Sequence, residues 1–245
     1  MVLASAQICT TNQDAESNLD QHYNLINLAA EKGAQLIVFP EMSITGYVRE
    51  TAAGNLFTPD DSRLNQLKAI SAEKQIIVVA GAPVLINNDL FIGSLVIKPD
   101  QSVMIYTKQF LHTGEELFFK SSFDYNPYLL LDNEKIYFAI CADTTEPLHA
   151  QNAAQNGATL YIASICFSKE GLPSGYKNLS NYAKNHDMNV LMSNFCGKVY
   201  RYQCGGQSGF WDNKGKLVAG LNDTDNGLLI IKKNENNWAG YSLVV

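Results

Sequence analysis

The sequence predicts an α/β protein in which mixed parallel and antiparallel sheets are covered by helices. Three observations carry this. Apolar strand-length runs alternate with helix-period runs in the first and third quarters of the 245-residue chain, as in parallel pairs joined by helical crossovers. Runs joined by short polar turns fill the middle and the end, the mark of antiparallel hairpins. Hydrophobic residues make up 46% and charged residues 17%, which suits an ordinary globular core, and no linker or low-complexity stretch interrupts the chain, so 1–245 is expected to be a single domain.

In order, Val2 to Ile8 reads as a buried strand. Ser17 to Lys32 reads as an amphipathic helix with Leu19, Tyr23, Ile26 and Ala30 on one face, Ser17 as N-cap and Gly33 as stop. Ala34 to Phe39 is a second buried strand and runs into Pro40-Glu41; 43–59 is loop. Asp61 to Lys74 is a helix with Leu64, Leu67 and Ile70 facing in, and Ile76 to Ala80 is a strand closed by Gly81-Ala82-Pro83. Leu90 to Ile97 and Val103 to Tyr106 pair across the turn 98–101, and Lys108 follows. Tyr128 to Leu131 and Lys135 to Ile140 form another hairpin through Asp132-Asn133, ending on Cys141. A helix from about Glu146 to Asn156, a strand Thr159 to Ala163, a helix Gly175 to Asp187 and a strand Val190 to Phe195 come next. The glycine-rich stretch 205–209 leads into Phe210-Trp211-Asp212, and Gly227 to Lys232 is the last core strand.

Composition narrows the function. Net charge is −6, and the three arginines (Arg49, Arg63, Arg201) form no basic stripe, so no nucleic-acid partner is expected. No apolar run reaches membrane-spanning length, and the N-terminus reads as a strand because it lacks the basic start of a signal peptide. The five cysteines (Cys9, Cys141, Cys166, Cys196, Cys204) are odd in number and lack CxxC spacing. That argues against a disulfide framework and a zinc knuckle, and points to a reducing cytoplasm.

Glu41, Lys108 and Cys141 each lie at or just past the C-terminal end of an expected strand, the edge where α/β proteins gather function. Their chemistries are complementary. A cysteine attacks as thiolate, a carboxylate accepts its proton, and a lysine holds an oxyanion. Taken singly, Cys141 suits a buried structural cysteine at least as well, and Glu41 a solvated loop carboxylate. Of the four histidines, His149 is expected at the surface, pointing away from the sheet edge. Tyr47, Phe118, Phe119, Phe167 and Trp211 suit a pocket wall or plain packing.

Phe39-Pro40-Glu41 with Gly46-Tyr47, Lys108 after its strand with Leu111 and a following Glu, and Ile140-Cys141-Ala142-Asp143 together resemble the three signatures of the nitrilase superfamily of carbon–nitrogen hydrolases. Gln7, Asn18, Gly33-Ala34, Gly81, Gly157-Ala158, Asn194, Gly197, Ser208, Asp212 and Gly215 fit in the same order, so the resemblance spans nearly the whole chain.

The resemblance implies a four-layer α-β-β-α sandwich. It implies a Glu41–Lys108–Cys141 triad in which Cys141 attacks an amide carbon and Lys108 with the backbone N–H of Ala142 holds the oxyanion. The substrate it implies is a small carboxamide or N-carbamoyl compound, cleaved through a thioester with release of ammonia. A second carboxylate that orients substrate and lysine falls on Glu115 or Glu116, with Glu115 favoured. No metal or organic cofactor is implied, and a homodimer or larger homo-oligomer is. Two features depart from the family. Ala142 stands where small-amide hydrolases usually carry an aromatic residue, and Thr144-Thr145-Glu146-Pro147 replaces the usual aromatic-Pro-Glu arrangement. The alternatives are a nitrilase acting on C≡N, or a silent binding protein that keeps the fold.

Overall fold

The computed structural model describes residues 1–9, 14–235 and 237–245. In chain order its elements are β1 (Val2–Gln7), α1 (Ala15–Glu31), β2 (Leu36–Val38), α2 (Asn65–Lys74), β3 (Ile77–Ile86), β4 (Asp89–Ile97), β5 (Val103–Thr107), β6 (Leu129–Leu131), β7 (Glu134–Ile140), α3 (Pro147–Gln155), β8 (Leu160–Ile165), α4 (Leu172–His186), β9 (Asn189–Asn194), β10 (Cys196–Val199), β11 (Tyr202–Gly205), β12 (Gly209–Trp211), β13 (Leu217–Gly220), β14 (Gly227–Asn234) and β15 (Asn237–Val244).

One sheet has the order β15-β14-β1-β2-β3-β4-β5 and the other β13-β12-β9-β8-β7-β6, with β10-β11 as a separate two-stranded ribbon. The centre of each sheet is parallel, β1-β2-β3 in one and β7-β8-β9 in the other, and the outer pairs are antiparallel. The mixed α/β class expected from the sequence is present.

Side-chain parity explains the layering. On β7, Ile136, Phe138 and Ile140 join the core between the two sheets, while Tyr137 and Ala139 join the core beneath the helices. On β8, Leu160 and Ile162 face one way and Tyr161, Ala163 and Ile165 the other. A strand buried on both faces must read as a continuous apolar run, as these do. Helices α1 and α2 touch each other on the first sheet, and α3 and α4 touch on the second, which completes four layers. Buried hydroxyls link the sheets: Ser5 Oγ donates to the Met192 carbonyl at 2.8 Å and Ser193 Oγ to the Ala6 carbonyl.

Several boundaries differ from the sequence reading. Asp14, not Ser17, caps α1, accepting from the Ser17 N–H at 3.1 Å. The inward face of α1 includes Asn18, His22, Leu25 and Ala29, so it is turned from the expected one by polar residues that have buried partners. Gly81-Ala82-Pro83 lies inside β3, because β3 continues in antiparallel register with β4 as far as Ile86–Asp89. The ribbon β10-β11 and the strand β15 have no counterpart in the sequence reading. Among the described residues no helix is long and apolar enough to cross a membrane.

Candidate active site

Glu41 follows β2 on a segment that is buried continuously from Leu36 to Val48. A buried loop must satisfy its own backbone groups. Here α1 and β3 do so. Gly81 N–H donates to Ser43 Oγ at 3.1 Å, and the Ile44 N–H donates to the Gly81 carbonyl at 2.9 Å. Ser43 in turn donates to His22 Nε2 at 2.9 Å, since His22 Nδ1–H is committed to the Asn18 carbonyl at 2.6 Å. Burial lowers the His22 imidazole to about 4, so it stays neutral in this role. Asn18 Nδ2 adds a bond to the Ile44 carbonyl at 3.0 Å. Gly81 is required by close approach: a Cβ there would stand 2.3 Å from the Met42 nitrogen and 2.8 Å from the Pro40 oxygen.

Lys108 is delivered just past β5, its N–H donating to the Ile92 carbonyl at 2.9 Å. Its Nζ donates to Glu41 Oε1 at 2.7 Å and to Glu115 Oε1 at 2.8 Å, and all three side chains are sealed from solvent. Tyr47 OH donates to Glu115 Oε1 at 2.5 Å and the His112 N–H to Glu115 Oε2 at 2.7 Å. Burial alone would lower the ammonium of Lys108; the surrounding Glu41, Cys141 and Glu115 outweigh it and hold the group above its ordinary value. Burial raises the Glu41 carboxyl to about 7; Lys108 opposes this, Glu115 adds to it, and the neighbouring Cys141 thiol opposes it slightly. The second oxygen, Glu41 Oε2, is buried and has no hydrogen-bond partner among the described residues.

Cys141 opens a 3-10 turn, Cys141–Thr145, straight off β7, and its backbone sits at φ +42°. A left-handed step at a non-glycine residue costs energy and needs its surroundings to hold it. Asp143 supplies that hold. Its Oδ2 accepts from the Ile140 N–H at 2.8 Å and from Tyr106 OH at 2.6 Å. Its Oδ1 accepts from the N–H groups of Gln109 at 3.0 Å and Phe110 at 2.8 Å. One carboxylate thus fastens the cysteine turn to the segment that carries Lys108.

His149 lies under this bond network, not at the surface as the sequence suggested. Its Nε2 meets Tyr106 OH at 2.9 Å and its Nδ1 meets Tyr161 OH at 2.7 Å. Tyr106 gives its one proton to Asp143, so His149 Nε2–H donates to Tyr106 and Nδ1 accepts from Tyr161. The partners come from β5 and β8, which is why helix periodicity could not reveal the burial.

The Cys141 thiol is held well above its ordinary value by burial and by the Glu41 charge, against the pull of Lys108 and of the Cys166 backbone N–H. It opens on a pocket of about 270 Å³ walled in part by Tyr47, Ala142, Phe167, Asn178 and Tyr202. Gly175 admits the Phe167 ring, because a Cβ there would lie 2.2 Å from a ring carbon. Of the other aromatic candidates, Phe118 is exposed, and Phe119 and Trp211 are core packing. Glu116 is exposed and accepts from the Gly114 N–H at 2.6 Å, outside the cluster. Tyr202 and Asn178 escaped the sequence reading. Tyr202 sits on the unread ribbon, and Asn178 is one polar residue among several on α4. Among the described residues no group of three or more His, Cys, Asp or Glu side chains is placed to hold a metal ion.

The family profile described as Carbon-nitrogen hydrolase matches residues 2–239. The chain belongs to the carbon–nitrogen hydrolase family. As a carbon–nitrogen hydrolase it is similar in fold to the amidase from Nesterenkonia sp. AN1, with a TM-score of 0.85 at 22% identity over 96% of this chain and 93% of that one. A form of that amidase with its cysteine replaced, in complex with butyramide, superposes with a TM-score of 0.84 at 22% identity over 94% of this chain and 89% of that one. In sequence the chain is similar to an arylacetonitrilase from Aspergillus oryzae, 30% identical over 115 residues. An arylacetonitrilase from Aspergillus niger is 28% identical over 115 residues. These matches take in 42% of this carbon–nitrogen hydrolase and about a third of each relative, 34% and 35%.

Proposed function

We propose that this carbon–nitrogen hydrolase cleaves a small, uncharged carboxamide through a thioester on Cys141 and releases ammonia. The observation that carries the proposal is the buried Glu41–Lys108–Glu115 cluster, in which Lys108 holds one Glu41 oxygen and the same carboxyl group neighbours the Cys141 thiol. A resting thiol held above its ordinary value does not ionise by itself at neutral pH, so its proton must leave as sulfur attacks. Glu41 takes that proton while the sulfur–carbon bond forms. The oxyanion is met by Lys108 and by the Ala142 N–H, one of the free donors at the start of a helical turn. Glu41 then passes the proton to the leaving nitrogen, ammonia departs, and the thioester remains. Glu41 next deprotonates a water that releases the acid. Glu115, tied by Tyr47, keeps Lys108 aimed at the oxyanion position.

The pocket favours the carboxamide over an N-carbamoyl amino acid. Its wall carries no lysine or arginine among the described residues, so a substrate carboxylate would meet no permanently cationic side chain there, while Glu41 faces it with a carboxyl of its own. Its volume falls just under the about 300–1,000 Å³ of drug-sized sites, which suits a short acyl group. Ala142, at the rim, leaves room beside the thiol. The similarity to arylacetonitrilases favours a second reading, hydrolysis of a nitrile through the same cysteine.

A panel of short amides, carbamoyl compounds and nitriles, read by ammonia release and by acyl adducts on Cys141, tests both. Neutral amides are expected to turn over with an adduct on Cys141, and Cys141→Ala to release no ammonia while keeping its fold. Wild-type turnover by folded Cys141→Ala sinks the mechanism. Turnover of nitriles alone replaces the first reading with the second.

A further inference from the structure

Two of the cysteines that the reaction does not use meet at the junction of the two sheets. Cys9 follows β1 and Cys196 begins β10, and they are 187 residues apart in sequence. Their sulfurs lie 2.6 Å apart. That is well inside the about 3.5–4.0 Å at which even carbon atoms rest against each other, and little more than the about 2.05 Å of a bonded pair. The backbone holds them there: the Cys196 N–H donates to the Ile8 carbonyl at 3.2 Å, and the Cys9 N–H donates to Asn226 Oδ1 at 2.8 Å. Gly197, at φ +70°, leaves the space its Cβ would take, 3.0 Å from the Cys9 sulfur.

We propose that Cys9 and Cys196 are a redox modification site that closes to a disulfide when the protein meets a low-molecular-weight disulfide. Cys9 is the partly exposed member and Cys196 the buried one. Cys9 therefore attacks one sulfur of the reagent, forming a mixed disulfide and releasing one thiolate. Cys196 then attacks the Cys9 sulfur and expels the second thiolate, which takes the Cys196 proton as it leaves. The two protein thiols lose two electrons and the reagent gains them as two free thiols. The Cys196 S–H beside it also favours the Cys9 thiolate, in contrast to the burdened thiol of Cys141.

The bond would staple the end of β1 to the root of the ribbon that carries Tyr202 to the pocket. The ribbon is itself tied to the pocket wall, Gly205 N–H to the Phe167 carbonyl and Lys169 N–H to the Gln203 carbonyl, both at 2.9 Å. A second pair, Cys166 and Cys204, lies 3.7 Å apart and is the competing site.

The wild-type chain is incubated with oxidised glutathione, quenched by alkylation and mapped by peptide mass spectrometry. A Cys9–Cys196-linked peptide lighter by two hydrogens is expected, with Cys141 alkylated. The thermal midpoint is expected to rise by roughly 5–10 °C and to return on reduction. In Cys196→Ser the glutathione adduct should remain on Cys9, and the midpoint should not rise. Alkylation of all five thiols in the wild type, or a Cys166–Cys204 link in place of Cys9–Cys196, overturns the proposal.

Discussion

Glu41 and Lys108 are 67 residues apart in sequence and 2.7 Å apart in space, with both side chains at zero exposure. Lys108 also pairs with Glu115 at 2.8 Å, so its removal leaves two carboxylates without their cation in a dry site, whereas loss of the Glu41 charge leaves the Lys108–Glu115 pair intact. Breaking a buried pair by deleting one member costs about 3–5 kcal/mol. Lys108→Met is therefore expected to lower stability by that order. On the proposed mechanism it also lowers kcat by at least about 10²–10³, the worth of one oxyanion donor. Denaturant midpoints and ammonia release on the same preparation check both. Unchanged turnover would remove Lys108 from the mechanism.

On the proposed mechanism Glu41 is the base and links activity to pH. It must be ionised to act, so kcat/KM is expected to rise as pH increases through about 7. Stability moves the other way. The folded value of about 7 lies above the ordinary 4.5, so the folded chain binds this proton more readily than the unfolded chain. The benefit is full below about 4.5 and is lost as pH rises through about 7. Glu41→Gln imitates the protonated form, and at pH 8 it should be inactive yet more stable than wild type, on the order of 1–3 kcal/mol. A lower midpoint for the variant at pH 8 contradicts this.

Asp143→Asn tests the tie between the cysteine turn and the lysine segment. Each carboxylate oxygen accepts two donors, and an amide must turn its NH₂ group toward one of those pairs. Unsatisfied buried groups cost about 1–3 kcal/mol each. A loss of roughly 2–4 kcal/mol is expected. A fall in kcat larger than any change in KM should accompany it, because the reacting groups move while the pocket wall stays. Equal loss in kcat and KM would place Asp143 in general stability alone.

Gly81→Ala pushes a methyl group into the Met42 nitrogen and the Pro40 oxygen. Backbone on both sides cannot yield as a side chain would, so a cost of about 1–3 kcal/mol or more is expected. Glu41 should shift with it and turnover fall. Wild-type kinetics in the variant would mean that β3 does not set the position of Glu41.

The sequence made the strand ends legible because β2, β5 and β7 are short apolar runs that stop sharply, so Glu41, Lys108 and Cys141 stood out as residues carried to an edge. It favoured Glu115 over Glu116 on their position in the loop alone. The tight turn in which the Glu115 N–H donates to the His112 carbonyl sends one carboxylate inward and the next outward, and composition does not encode that turn. His149 was misread because its partners are tyrosines on distant strands. The strand β15 was missed because it is an edge: most of its residues remain exposed, and only its pairing with β14 makes it a strand. The closeness of Cys9 and Cys196 is likewise a product of stacking the two sheets, invisible to spacing along the chain.

Glu41, Lys108 and Glu115 are carried by the first sheet and its loops, whereas Cys141 is carried by the second. On the proposed mechanism neither half holds a complete set of reacting groups. Turnover would then report whether the sheets are docked: a form that keeps all its secondary structure but lets the layers part is expected to be silent, and catalysis to return only when the sandwich closes.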